Sequence, residues 1–189
     1  MNNNPEFQKR KSIRLKDFDY SKEGLYFITI CVHNHECLFG KIENDNLLLN
    51  ELGKVANNFW IEIPNHFPSV ELHEFIIMPN HIHGIIEIVG TQNNEFNPIV
   101  GTRHGVSKTA NKDEYKHQFS KPIPGSISTI INQYKSSVKR WCNKNGHKYF
   151  QWQSRFYDHI IRSDFDYQNI SNYIIHNPAK WDEDKYYGK

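Results

Sequence analysis

Two histidines one residue apart, His81 and His83, sit in the run MPNHIHGIIEIV. On a strand, residues i and i+2 point to the same side, so both imidazoles would project together while Ile82 packs the opposite way. Two imidazoles on one face of a rigid strand supply half of a divalent-metal site. His33-Asn34-His35 repeats the spacing, but no apolar strand follows it, and there the histidines read as ordinary polar residues. Zinc-hydrolase chemistry fits poorly, because the chain has no HExxH and position 85 is Ile rather than a third histidine. Any further ligands must come from elsewhere in the sequence.

A metal site that cuts a phosphoester needs a nucleophile, either water or a side chain. Tyr173 and Asn177 lie four residues apart, which stacks them on one face of a helix. They run beside a core-facing stripe of Tyr167, Ile170 and Ile174. Asn177 directly precedes Pro178, where a helix should end, so its amide is not trapped mid-helix. Tyr149 and Gln153 share the spacing, but their surroundings read as strand.

The elements that must position these groups follow from periodicity. GLYFITICVH at 24–33 is rich in β-branched and aromatic residues and predicts a strand. LFGKIENDNLLLN predicts a hairpin around residues 43–46. Leu52, Val55, Ala56, Phe59 and Ile63 recur at helical spacing, with Asn50 as N-cap. Two apolar runs, 70–78 and 82–89, joined by a short connection, predict an antiparallel pair. Ile127, Ile130, Ile131, Tyr134, Val138 and Trp141 predict a helix, and YFQWQSRFYDHII predicts another strand. Ser163, with Asp166 three residues on, opens a last helix that ends near Pro178. Counting the hairpin as one element, the order is β-β-α-β-β-α-β-α. It implies an α+β fold, a ferredoxin-like sandwich with helices packed on one face of an antiparallel sheet.

The 189 residues suit one domain. The expected layout is a basic arm at 1–23, one catalytic domain at 24–181 with a long polar loop at about 91–125, and a tail at 182–189. A net charge of +2 neither demands nor excludes a nucleic-acid partner, but its distribution is uneven. Arg14 and Lys16 belong to a basic N-terminal cluster, and Lys135, Lys139 and Arg140 to a second one. The three cysteines lack disulfide or zinc spacing. The first residues do not read as a signal peptide, and no apolar run approaches a membrane span. The chain reads as cytoplasmic.

EFIIMPNHIHGIIEI, WQSRFYDHIIR and YIIHNPAKW, in that order, resemble the REP-associated tyrosine transposases, single-tyrosine HUH enzymes of the insertion-sequence-200-like kind. The resemblance extends to KSIRLKDFDYSKEGLYFITICVHNHECLFG and GSISTIINQYKSSVKRWCNKNG. It implies that His81 and His83 bind a divalent ion, Mg²⁺ or Mn²⁺, that Tyr173 is the nucleophile, and that Asn177 is a third ligand. It also implies a single-stranded, hairpin-forming DNA substrate, a 5′-phosphotyrosine intermediate, a chromosome-associated location and either a homodimer or a monomer. Arg14, Lys16, Lys135, Lys139 and Arg140 would then contact phosphates. Trp152, Phe156 or Tyr157 could stack on bases. Two rivals use the same residues differently: a catalytically silent DNA-binding protein, and a metal-dependent phosphoesterase that attacks with water.

Overall fold

A computed structural model describes residues 18–90 and 123–187. Arg14, Lys16, most of the expected basic arm and most of the 91–125 loop lie outside the described residues.

β1 (Gly24–Cys31) and β5 (His81–Ile88) are buried on both faces, which is why their sequences run almost continuously apolar. Between them in sequence come the hairpin of β2 (Gly40–Glu43) and β3 (Asn46–Leu49), then α1 (Glu51–Ile61), the short α2 (Ile63–His66) and β4 (Val70–Ile77). Asn44 and Asp45 turn the hairpin with φ of 50° and 61°, a conformation that Asn and Asp tolerate. The Asn50 side chain caps α1 by accepting from Gly53 N at 2.9 Å. α3 (Ile127–Lys144), β6 (Tyr157–Ile161) and α4 (Asp164–His176) complete the described elements.

The sheet order is β4-β5-β1-β6, with every neighbouring pair antiparallel. With α1 and α3 as the crossovers, this is the ferredoxin-like split β-α-β, and the β2–β3 hairpin is inserted after β1. The expected helices on one face of an antiparallel sheet are α1 and α3. They cover Tyr26, Ile28, Ile30, Ile82 and Ile86 through Trp60, Ile130, Ile131 and Tyr134. The contact is close at Gly84, where an added Cβ would lie 2.4 Å from Trp60 Cζ2.

α4 lies across the opposite face, where Ile174 packs with Phe27, Ile85 and Ile161. That apolar seam is thin, and a polar clasp reinforces it. Between Leu72 and Phe75 the β4–β5 register slips by one residue, a β-bulge that turns His73 and Glu74 toward α4. Tyr167 donates to Glu74 Oε2 at 3.0 Å and Ser171 does so at 3.1 Å. His73 joins Tyr167 to Glu87, with its Nε2 2.8 Å from Glu87 Oε2.

Two local expectations need correction. Strand pairing within YFQWQSRFYDHII is confined to β6, apart from an isolated Val32–Trp152 bridge. Upstream carbonyls accept from lysine ammoniums instead of a neighbouring strand: Lys139 donates to Lys148 and Phe150, and Lys135 to Gln153. The second correction concerns the start of α4. Ser163 Oγ accepts from Asp166 N as expected, but the Asp166 carboxylate pairs with His159 rather than closing the capping box.

Candidate metal centre and tyrosine

Strand alternation divides β5 into two columns. Ile82, Gly84 and Ile86 meet α1 and α3, while His81, His83 and Ile85 face α4. Both histidines are fully buried. Their rings stand 4.4 Å apart between centroids.

Each imidazole is held through Nδ1. Asn80 donates through Nδ2 to the carbonyls of His35 and Tyr186, so its Oδ1 is the acceptor facing His81. His81 Nδ1–H therefore donates to Asn80 Oδ1 at 2.7 Å, leaving the Nε2 lone pair outward. His83 Nδ1 lies 2.9 Å from Thr29 Oγ1, its cross-strand partner, and His83 Nε2 lies 3.1 Å from the Tyr173 hydroxyl. Partners of this kind fix ring orientation at metal sites.

α4 carries the expected pair to the same place. Tyr173 is 40% exposed, while Asn177 is buried. Asn177 keeps helical angles (φ −59°, ψ −39°) as the C-cap, so the spacing of four survives the helix end. A residue absent from the sequence expectations completes the cluster. After a 3₁₀ turn at Pro178–Glu183, the chain folds back and brings Asp184 to the site. Asp184 Oδ2 accepts from Asn177 Nδ2 at 3.1 Å and from the Tyr173 hydroxyl at 3.4 Å. Ligand atoms of His81, His83 and Asp184 all lie within 4.8 Å of one another. Trp181 and Tyr186 wall the cluster, their ring centroids 6.1 and 4.6 Å from His81.

The donor set suits a divalent ion. His81 Nε2 and Asn177 Oδ1 are buried and meet no hydrogen-bond partner among the described residues, a costly state for polar atoms that a cation would relieve. Two neutral nitrogens and a carboxylate match the ligand chemistry of Mn²⁺ and allow Mg²⁺. Burial keeps both histidines neutral: it pushes His81 down to about 3 against the opposing Asp184 charge, and it puts His83 well below the usual histidine range. For Tyr173, burial first and the Asp184 charge second push the phenol up to about 12.

The other expected residues lie elsewhere. Lys135 and Lys139 are tied to carbonyls of their own chain, at 2.6 Å for Lys135 on Gln153, and burial lowers the Lys135 ammonium's affinity for its proton. Arg140 is exposed beside them along a groove that also includes Asn132 and Asn143. No helix among the described residues is long and apolar enough to cross a membrane.

No family model matches the chain. An uncharacterized protein of Haemophilus influenzae is 40% identical over 184 residues, covering 94% of this chain and 93% of that one. A second protein of that organism, named "Putative REP-associated tyrosine transposase", is 27% identical over 165 residues, covering 86% of this chain and 74% of its own length. The solved structure of a REP-associated tyrosine transposase bound to a REP hairpin shares the fold, with a TM-score of 0.56 at 20% identity over 89% of this chain and 74% of that one. With its βαββαβ sheet, paired strand histidines and helix-borne tyrosine, the chain is similar to the REP-associated tyrosine transposases and shares the fold of the solved one.

Proposed function

We propose that this protein is a transposase-like nuclease and strand transferase acting on single-stranded, hairpin-forming DNA, with Tyr173 as nucleophile. One observation carries the reading: the Tyr173 hydroxyl lies 3.1 Å from His83 Nε2, at the edge of a donor set that suits a divalent ion. The solved relative bound to a REP hairpin supports a DNA hairpin as partner.

His81, His83 and Asp184 would hold the ion, with Asn177 Oδ1 as an additional donor. Bound there, Mn²⁺ or Mg²⁺ supplies Lewis-acid stabilisation of charge on phosphate oxygens. The chain's own groups do the rest. Tyr173 Oη attacks the scissile phosphorus, the P–O3′ bond breaks, and the 3′ oxygen leaves with a proton. The 5′ phosphate stays on Tyr173 as an ester that a later 3′-OH can attack, so no nucleotide cofactor is needed. A phenol pushed up to about 12 does not ionise unaided near neutral pH. With His83 Nε2 committed to the ion, the group within reach of its proton is the Asp184 carboxylate, whose Oδ2 lies 3.4 Å away. Tyr173 stands over the histidines of its own chain, so the site needs no second copy to be complete.

The test incubates labelled single-stranded oligonucleotides covering the DNA that flanks the gene with the protein and Mn²⁺ or Mg²⁺. A protein–DNA band that survives SDS, and disappears in Tyr173→Phe and His81→Ala, is the expected result. Cleavage that persists without an adduct in Tyr173→Phe would overturn it in favour of attack by water.

A further inference from the structure

The catalytic face continues beyond Tyr173 to the edge of the sheet. Thr29, which holds His83, sits directly opposite Tyr157 in the β1–β6 pairing, and opposed residues of an antiparallel pair share a face. Phe27 links the two regions. Its ring stacks on His83 with centroids 5.3 Å apart, and its centroid lies 6.3 Å from that of Tyr173 on one side and 6.3 Å from that of Tyr157 on the other. Tyr157 is 38% exposed on β6, an edge strand with β1 as its sheet neighbour.

The aromatics that could face DNA differ in how they are engaged. Trp152 packs against Phe39, Tyr134 and Phe150 and donates through Nε1 to the Lys135 carbonyl. Phe156 is packed against the main core. Tyr157 instead lines an open cavity of about 380 Å³ together with Tyr20 and Arg162. In that cavity's wall, the Asp166 carboxylate is taken up by His159 at 2.9 Å. Lys185 Nζ lies over the Tyr157 ring, 5.7 Å from its centroid, and over that of Tyr186 at 4.7 Å, so a cation stands at one face of the ring and leaves the other for a base. An exposed aromatic face flanked by Lys185 and Arg162 matches what a nucleotide needs: a surface for the base and cations for the phosphates on either side.

We infer that Tyr157 is a base-stacking platform for single-stranded DNA, with Lys185 and Arg162 holding the neighbouring phosphates, one aromatic ring away from the nucleophile. Its place on the face rests on the reading of Tyr173 as the residue that attacks DNA. The contact is independent of base identity, because every base offers a π-face.

The experiment measures fluorescence anisotropy of the full chain, in EDTA so that nothing is cut, with a labelled oligothymidylate of about 12 nucleotides and with the matching abasic chain. Wild type should prefer the base-bearing strand. Tyr157→Ala should bind oligothymidylate about tenfold more weakly, with abasic binding unchanged, and Tyr157→Phe should restore the preference. Equal affinity of Tyr157→Ala and wild type for oligothymidylate overturns the platform. So does a parallel loss on both ligands, or a wild type that does not distinguish them. The SDS-stable adduct is scored separately. If it is absent while Tyr157 still discriminates, the nucleophile assignment fails and the platform stands. If it is present without that discrimination, the platform fails and the nucleophile assignment stands.

Discussion

The Tyr173 hydroxyl lies 3.1 Å from His83 Nε2, although 90 residues separate the two in sequence. The nitrogen proposed to hold a metal therefore also borders the oxygen proposed to attack. Removing the hydroxyl should leave the metal site standing. Tyr173→Phe should bind Mn²⁺ within about twofold of wild type and form no covalent adduct, as isothermal titration and an SDS gel would show. Loss of metal binding in this variant would make Tyr173 a ligand rather than a nucleophile.

Asp184 supplies the carboxylate of the cluster. Asp184→Asn keeps the shape and removes the charge, so Mn²⁺ affinity should drop at least tenfold, the scale seen when groups around metal sites are altered. Asn177→Ala should cost less, because a neutral amide oxygen is the weaker donor. Paired titrations by electron paramagnetic resonance rank the two, and the reverse order would exchange their roles.

The buried histidines make stability depend on pH. Burial pushes His81 down to about 3 and His83 well below its ordinary value, whereas in the unfolded chain both titrate near 6.5. Below about pH 6.5 the unfolded chain therefore binds more protons than the folded one. The contribution is complete above that pH and is lost progressively as pH falls toward 3. Urea midpoints in EDTA should decline across this window, and His83→Gln should flatten the decline. An unchanged slope in that variant would place the acid sensitivity elsewhere.

The clasp on α4 should be measurable without any substrate. Glu74→Ala removes the acceptor shared by the Tyr167 and Ser171 hydroxyls, leaves Tyr167 its contact with His73, and should cost about 1 kcal/mol. Glu74→Gln, which retains an acceptor oxygen, should recover part of that. Hydrogen exchange should accelerate in α4 ahead of α3 in the alanine variant. Uniform acceleration would mean that the clasp supports the whole sheet.

Gly84→Ala tests the opposite face. Its new methyl would meet the Trp60 indole, so destabilisation of about 1–3 kcal/mol by overpacking is expected in denaturant melts. Pairing it with Trp60→Phe should recover part of the loss.

Much of this was legible in the sequence because it depends on short periods. Spacing of two on a strand and of four on a helix placed His81 beside His83 and Tyr173 beside Asn177, and helical spacing located α1, α3 and α4. Asp184 was not legible. It reaches the site only because the chain turns back after Pro178, and no local period records a return of that kind. Composition likewise could not show that the Lys135 and Lys139 ammoniums are engaged by carbonyls of their own chain. The bulge at His73 and Glu74 escaped for a related reason: an extra residue in one strand exists only relative to its partner.

The two columns of β5 answer to different demands. Substitutions at Ile82, Gly84 and Ile86 are judged by how the domain folds and those at Ile85 by how α4 seats on the sheet, while His81 and His83 answer to the proposed chemistry. If the proposed cleavage were lost in a lineage, positions 81 and 83 would be released while Ile82, Gly84, Ile85 and Ile86 stayed fixed by packing. Catalytically silent relatives should therefore show change at two alternate positions of this strand and constancy between them.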